Sequence, residues 1–222
     1  MIELELTPQE VRVLGCLLEK EMATPDYYPL SLNALINACN QKSNRNPITS
    51  YDEKTVLQSL DALKAKNLAW QSNAARVPKY EHHFGKKLNL LQKEMAIMCL
   101  LLLRGPQTLG ELRNRTERLY PFSNLEEVSE SFEVLEEMEL VRQLPKMPGQ
   151  KESRVIHLLA GEPQHSNDED KGEKEEGSET TPGEHQSAKK TRLELLEDET
   201  SSLRKELEEL KQEFLIFRQE FE

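Results

Sequence analysis

The side chains whose types and spacing suggest a chemistry are basic and amide groups, and the chemistry is recognition. Lys42, Asn44 and Arg45 stand together in the polar stretch 40–47. Lys54 and Gln58 follow with the i, i+4 spacing that places two side chains on one side of a helix. Arg76 closes a small polar tip at 72–76, and Lys79 follows three residues on in the same expected β wing. Lysine and arginine neutralise phosphates, while asparagine and glutamine bond to base edges. These seven residues are the candidate contacts to double-stranded DNA. The competing reading is an ordinary polar surface, because Asp52, Glu53 and Asp61 dilute the positive field.

Catalytic chemistry finds less support. The sequence holds no HExxH, no phosphate-cradling glycine loop and no nucleophile elbow. His82 and His83 fall in an expected β segment, His157 in another, and His165 and His185 in a polar tail. Paired carboxylates such as Glu136 and Glu137 read as a solvated helix face. The expectation is a non-enzymatic protein without metal or cofactor. Cys16, Cys39 and Cys99 sit singly in apolar helical patterns without CxxC spacing, as buried free thiols in a reducing compartment do.

The elements that must position these residues are short helices and hairpins. Thr7, Pro8 and Glu10 make a helix start with a capping box. Val11, Leu14, Leu17 and Leu18 continue it at helical spacing. Ser31 caps a second helix carrying Leu32, Leu35, Ile36 and Cys39. A third is expected over 52–66 with Val56, Leu60 and Leu63 inward. Strand-like residues 68–70, a tip at 72–76 and a β-like return over 77–84 complete the unit. Three helices and a hairpin are the winged-helix order. The pattern recurs: a helix over 90–103 ending at Gly105-Pro106, one over 109–119 capped by Thr108, and one capped by Ser123 or Asn124 with Val128, Phe132 and Leu135. Strands are expected over 140–144 and 154–159. Leu60, Leu63 and Leu68 align with Phe132, Leu135 and Leu140, so two copies of one unit explain the pattern. The expected fold class is mainly α with small β wings (α+β), as two tandem winged-helix domains over 1–86 and 87–160.

Charge separates this body from the rest. Residues 1–160 hold 20 Lys/Arg against 21 Asp/Glu, and residues 161–222 hold 9 against 19. The body is therefore near neutral and gives no general electrostatic support for DNA. Residues 161–188 lack apolar side chains until Ala188 and are expected to form a disordered acidic linker. From Leu193 an unslipped heptad runs through Leu196, Thr200, Leu203, Leu207, Leu210, Phe214, Phe217 and Phe221, the expected seam of a coiled coil over 189–222. A parallel pairing sets Arg192 against Glu197, Glu199 against Arg204, Glu206 against Lys211 and Glu213 against Arg218. All four pairs are opposite in sign. An antiparallel one would face like with like, so a parallel homodimer is expected. A single helix folding back on the body is the alternative, and the aromatic end also suits another protein as partner.

The longest apolar run, 95–103, is about half the ~20 residues that span a bilayer. The start has neither a basic nor an apolar signal region. A cytoplasmic protein with no membrane association is expected.

The strings 28–35, 38–47, 101–113 and 149–154 (YPLSLNAL, ACNQKSNRNP, LLLRGPQTLGELR and GQKESR) resemble the YceH family of bacterial proteins. The resemblance covers roughly 5–162. It implies a bacterial cytoplasmic protein with two winged-helix domains, and it implies no activity.

Two functions follow as expectations. One is a dimeric DNA-binding regulator that uses the first unit. The other is a protein-interaction scaffold. The third helix of the second unit carries Glu126, Glu127, Glu130, Glu133, Glu136, Glu137 and Glu139 and no Lys or Arg, so a DNA role there is disfavoured. Arg113, Arg115 and Arg118 are the nearby basic cluster, suited to pairing with those glutamates.

Overall fold

Two buried helices lie back to back at the centre of the described residues. The computed structural model describes residues 4–72, 77–146 and 152–161. The expected linker and coiled coil, including every seam residue, lie outside the described residues.

The first helix, α1 (Pro8–Ala23), starts with the expected box: the Thr7 hydroxyl accepts from the Glu10 amide, and the Glu10 carboxylate accepts from the Thr7 amide at 2.7 Å. Its residues Val11 to Leu18 are all buried. A helix covered on all sides needs neighbours on two faces. The α2 (Leu32–Cys39) and α3 (Glu53–Ala65) helices pack against α1, and so does α5 (Gln92–Arg104). Every residue of α5 from Ala96 to Leu103 is also buried. Gly15 permits the approach of α1 and α5. A Cβ there would lie 2.9 Å from Leu103 Cδ2 and 3.1 Å from Leu102 Cβ. The Cys99 thiol donates to the Gly15 carbonyl at 3.7 Å. One continuous hydrophobic cluster runs through both halves.

The same chain path occurs twice. In the first half, α1 leads to β1 (Leu30–Ser31), then α2, α3, β2 (Ala69–Ser72) and β3 (Lys79–His82). The strands form an antiparallel sheet in the order β1-β3-β2. In the second half, α5 leads to α6 (Leu109–Arg115), α7 (Leu125–Glu137), β4 (Val141–Gln143) and β5 (Val155–His157). Gln107 stands where β1 stood: it bridges Val155 of β5 as β1 pairs with β3. The repeat extends to single hydrogen bonds. After α3, Asn67 takes φ 55° and the Leu68 amide donates to Leu63 at 2.8 Å. After α7, Glu139 takes φ 58° and the Leu140 amide donates to Leu135 at 3.0 Å. Both are left-handed helix ends closed by a six-to-one bond, with the leucine five residues on carried into the sheet. Small antiparallel sheets beside a helical majority make the class α+β.

Several local expectations need correction. The return strand read over 77–84 ends at His82. Phe84 instead opens a short helix, α4 (Phe84–Leu88), with its ring fully buried. The division expected at residue 86 therefore falls inside α4. The helix read over 109–119 stops at Arg115, because both Leu119 and Tyr120 turn back to donate to the Thr116 carbonyl. Strand β1, two residues long, has too little pattern to read in advance.

Candidate nucleic-acid interface

The candidate surface is built from segment 40–52 and the helix it leads into. Asn40 closes the segment at its neck. Its carboxamide donates to the Tyr51 carbonyl at 2.8 Å and accepts from the Tyr51 amide at 2.7 Å. The Thr49 hydroxyl donates to the Cys39 carbonyl at 3.0 Å. From the core side, Arg12 donates to the Pro47 carbonyl at 2.6 Å, and the Asn46 amide donates to the Leu103 carbonyl at 2.9 Å.

Arg45 is the centre of this arrangement, and it faces inward. Its side chain is 0% exposed. The guanidinium donates to both oxygens of Glu19 at 3.0 and 2.6 Å, to the carbonyls of Ala38 and Asn44, and to Gln41. Burial disfavours its charge, but the hydrogen bonds to Glu19 and the surrounding negative charge together outweigh this and raise its pKa further. The reciprocal effect holds the Glu19 carboxyl below the usual range despite burial. The expectation that Arg45 contacts DNA is therefore corrected: every donor direction is used inside the fold. Asn44 is exposed with φ 60°, but its side-chain oxygen accepts from Arg104, so its carboxamide is already engaged. Arginine and asparagine in a polar run gave no sign of which would turn inward.

The remaining candidates do reach the surface. Lys42 is exposed, and so are Lys54 and Gln58 on α3. Asp52 caps that helix by accepting from the Thr55 amide at 2.8 Å. Val56, Leu60 and Leu63 turn inward as the spacing requires. One turn beyond Gln58, Asp61 pairs with Lys64 at 2.7 Å. Lys79 is half-buried at the start of β3, opposite Ser72. Arg76 lies outside the described residues. Lys42, Asn44, Lys54 and Gln58 thus share one segment and the helix after it, with Lys79 on the hairpin.

His82 and His83 are both engaged within the fold. His82 is buried, with Nε2 at 2.6 Å from Glu21, and its amide donates to the Tyr28 hydroxyl. The His83 ring stacks on Trp70 with centroids 6.0 Å apart and planes 5° from parallel. Among the described residues no group of His, Cys, Asp and Glu is arranged to hold a metal ion. None of the described helices is long and apolar enough to cross a membrane. In the second half, Arg115 donates to Gln107 and pairs with Glu111 of its own helix.

A family model described as a protein of unknown function, DUF480, matches residues 6–150. The chain belongs to the DUF480 family. A UPF0502 protein of Pelobacter propionicus is 48% identical over the full length of both chains. One from Solibacter usitatus is 45% identical over 95% of this chain and 98% of its own. A third, from Geobacter sulfurreducens, is 53% identical over 76% of this chain and 78% of its own. The YceH resemblance accords with this membership, and the DUF480 description attaches no activity to it.

Proposed function

We propose that this DUF480 protein is a non-enzymatic pair of winged helices that binds double-stranded DNA through α3 of the first half. The repeated path of helix, short strand or bridge, two helices and hairpin supports the winged-helix reading. One observation carries the DNA reading: Lys54 and Gln58 project from α3 into solvent, and Lys42 is exposed in the segment before it. The corresponding helix α7 exposes Glu126, Glu130, Glu133, Glu136 and Glu137 and carries no cation, so the halves divide the work. With Arg45 withdrawn, the contact set is small, and the affinity of one chain is correspondingly weak. Pairing through the heptad segment 189–222 as a parallel dimer doubles the contacts.

The test is Lys42→Glu with Lys54→Glu in the full chain, measured by fluorescence anisotropy on duplex DNA. Both side chains are exposed, so folding is expected to survive, and affinity should fall at least tenfold. Unchanged affinity would remove this surface from consideration.

A second reading, a protein-interaction scaffold, is favoured by the same α7 surface. Leu125 is 47% and Val134 40% exposed among the glutamates. Such a mixture suits a basic amphipathic partner. Binding of a protein partner that survives the double lysine variant, with no DNA binding by the parent, would favour this alternative.

A further inference from the structure

The outer face of the first hairpin carries an exposed aromatic pair that the contacts of α3 leave unused. Residues directly opposite on antiparallel strands share a face. Ala69 pairs with His82 and Gln71 with Tyr80, and Ala69, Tyr80 and His82 are buried. Trp70 with Glu81, and Ser72 with Lys79, therefore face outward. Trp70 is the chain's one tryptophan, 57% exposed on β2, the edge strand of its sheet. The His83 ring lies parallel to its indole within 5°. His83 is itself held: its amide donates to the Leu68 carbonyl, and its carbonyl accepts from the Lys87 amide, both at 2.8 Å. The Glu81 carboxylate stands beside the pair, 3.5 Å from His83 Nε2.

We propose that this face seats an unpaired guanine of a DNA strand, with the base on Trp70, its edge on Glu81 and its phosphate on Lys79. Three features match three parts of one nucleotide. An exposed, pre-positioned indole stacks bases, since every base has a π-face. An ionised carboxylate only accepts hydrogen bonds. Guanine sets two adjacent N–H donors on its pairing edge, whereas thymine sets a carbonyl on each side of its single N–H. Glu81, directly across the strands from Trp70, therefore selects guanine and repels thymine. Lys79 lies one outward-facing rung further along. Two residues of a strand span about 7 Å, the scale of the step from a base to its own phosphate.

The openness of the face sets the kind of ligand. A free nucleotide needs a concave site that covers most of its surface. An exposed rung on an edge strand covers one side of a base, which suits a base carried by a strand with contacts elsewhere. The hairpin is also tied to the helix read as duplex-binding: α3 leads directly into β2, and Lys64 donates to Gln71 at 3.2 Å. The choice of DNA as the strand rests on that reading of α3. The guanine then lies unpaired at the flank of the duplex.

The experiment titrates the full chain with single-stranded oligothymidylates that carry either guanine or thymine at their centre, following Trp70 fluorescence. Stacking should quench it, and the guanine strand should bind roughly tenfold more tightly. Trp70→Ala, read by anisotropy of a labelled strand, should weaken binding at least about tenfold. Should that variant not fold, Glu81→Gln decides: quenching should persist and the advantage of guanine should vanish. Strand binding without quenching, equal affinity for the two strands, or guanosine monophosphate binding as tightly as the strand would overturn the proposal. So would a preference for the ribose strand, or quenching by an arginine-rich peptide and by no strand, which would assign the face to RNA or to a protein. Blunt duplex binding without strand binding would overturn this site alone. Absence of both would overturn it together with the reading of α3.

Discussion

Replacing Arg45 with alanine separates a residue that holds the fold from one that contacts DNA. The side chain is fully buried and bonds twice to Glu19, whose own side chain is 14% exposed. Its removal leaves that carboxylate with Lys20 alone and strips hydrogen bonds from the carbonyls of Ala38 and Asn44. Breaking a buried ion pair by deleting one member costs ~3–5 kcal/mol. A domain with ~5–15 kcal/mol in total loses much of its margin. At roughly 2–4 °C per kcal/mol for a chain of this size, Tm should drop by roughly 6–20 °C. Urea unfolding followed by far-UV circular dichroism measures the loss, with Lys42→Ala, exposed and expected to change stability by less than about 0.5 kcal/mol, as the comparison. The variant should also alter the acid limb. The Glu19 pKa is depressed in the folded state, so its contribution is full above the unfolded carboxyl pKa and is lost as pH falls through the folded one. Arg45→Ala should therefore flatten the stability profile below about pH 4.3. A loss under about 1 kcal/mol together with weakened DNA binding would refute the assignment of Arg45 to the interior.

Other consequences are accessible to the same methods. Gly15→Val should destabilise by at least ~1–3 kcal/mol through overpacking at Leu102 and Leu103, seen as a lowered urea midpoint with an unchanged slope. Glu139→Gly should stabilise by up to ~1 kcal/mol, because residue 139 is left-handed; a loss of stability would mean that the glutamate side chain matters more than the backbone. His157, with Nδ1 buried and unpartnered, has its pKa lowered to about 4 by burial. A depressed histidine gives stability that is complete above its unfolded pKa near 6.5 and declines as pH falls toward 4, so His157→Phe should flatten that interval. Sedimentation of the full chain should give a dimer, and a chain ending at Glu162 a monomer; a monomeric full chain would remove the heptad pairing.

Much of the fold was legible because it rests on local signals. Thr7, Ser31, Asp52, Thr108 and Asn124 all cap helices as their types suggest. The five-residue step from Leu63 to Leu68 and from Leu135 to Leu140 proved to be one helix-ending hydrogen bond made twice. Helix α4 was missed because Phe84 follows alternating strand residues, and only its burial against the core shows why the chain turns there. Much of the candidate site was not legible, for a physical reason. Whether an arginine in a polar run faces water depends on a distant acid, and Glu19 is 26 positions from Arg45. Likewise Arg12 sits within an apolar helix, where sequence alone shows a cation but not the Pro47 carbonyl to which it donates.

The salt dependence of duplex DNA binding by the full chain tests the central claim most directly. With Lys42, Lys54 and Lys79 as the contacts among the described residues, each bound protomer should release about three counterions, and the slope of log affinity against log salt should be roughly −3 per protomer. Two engaged protomers should double it. Absence of binding even at low salt, or an affinity indifferent to salt, would contradict a DNA-binding role for α3.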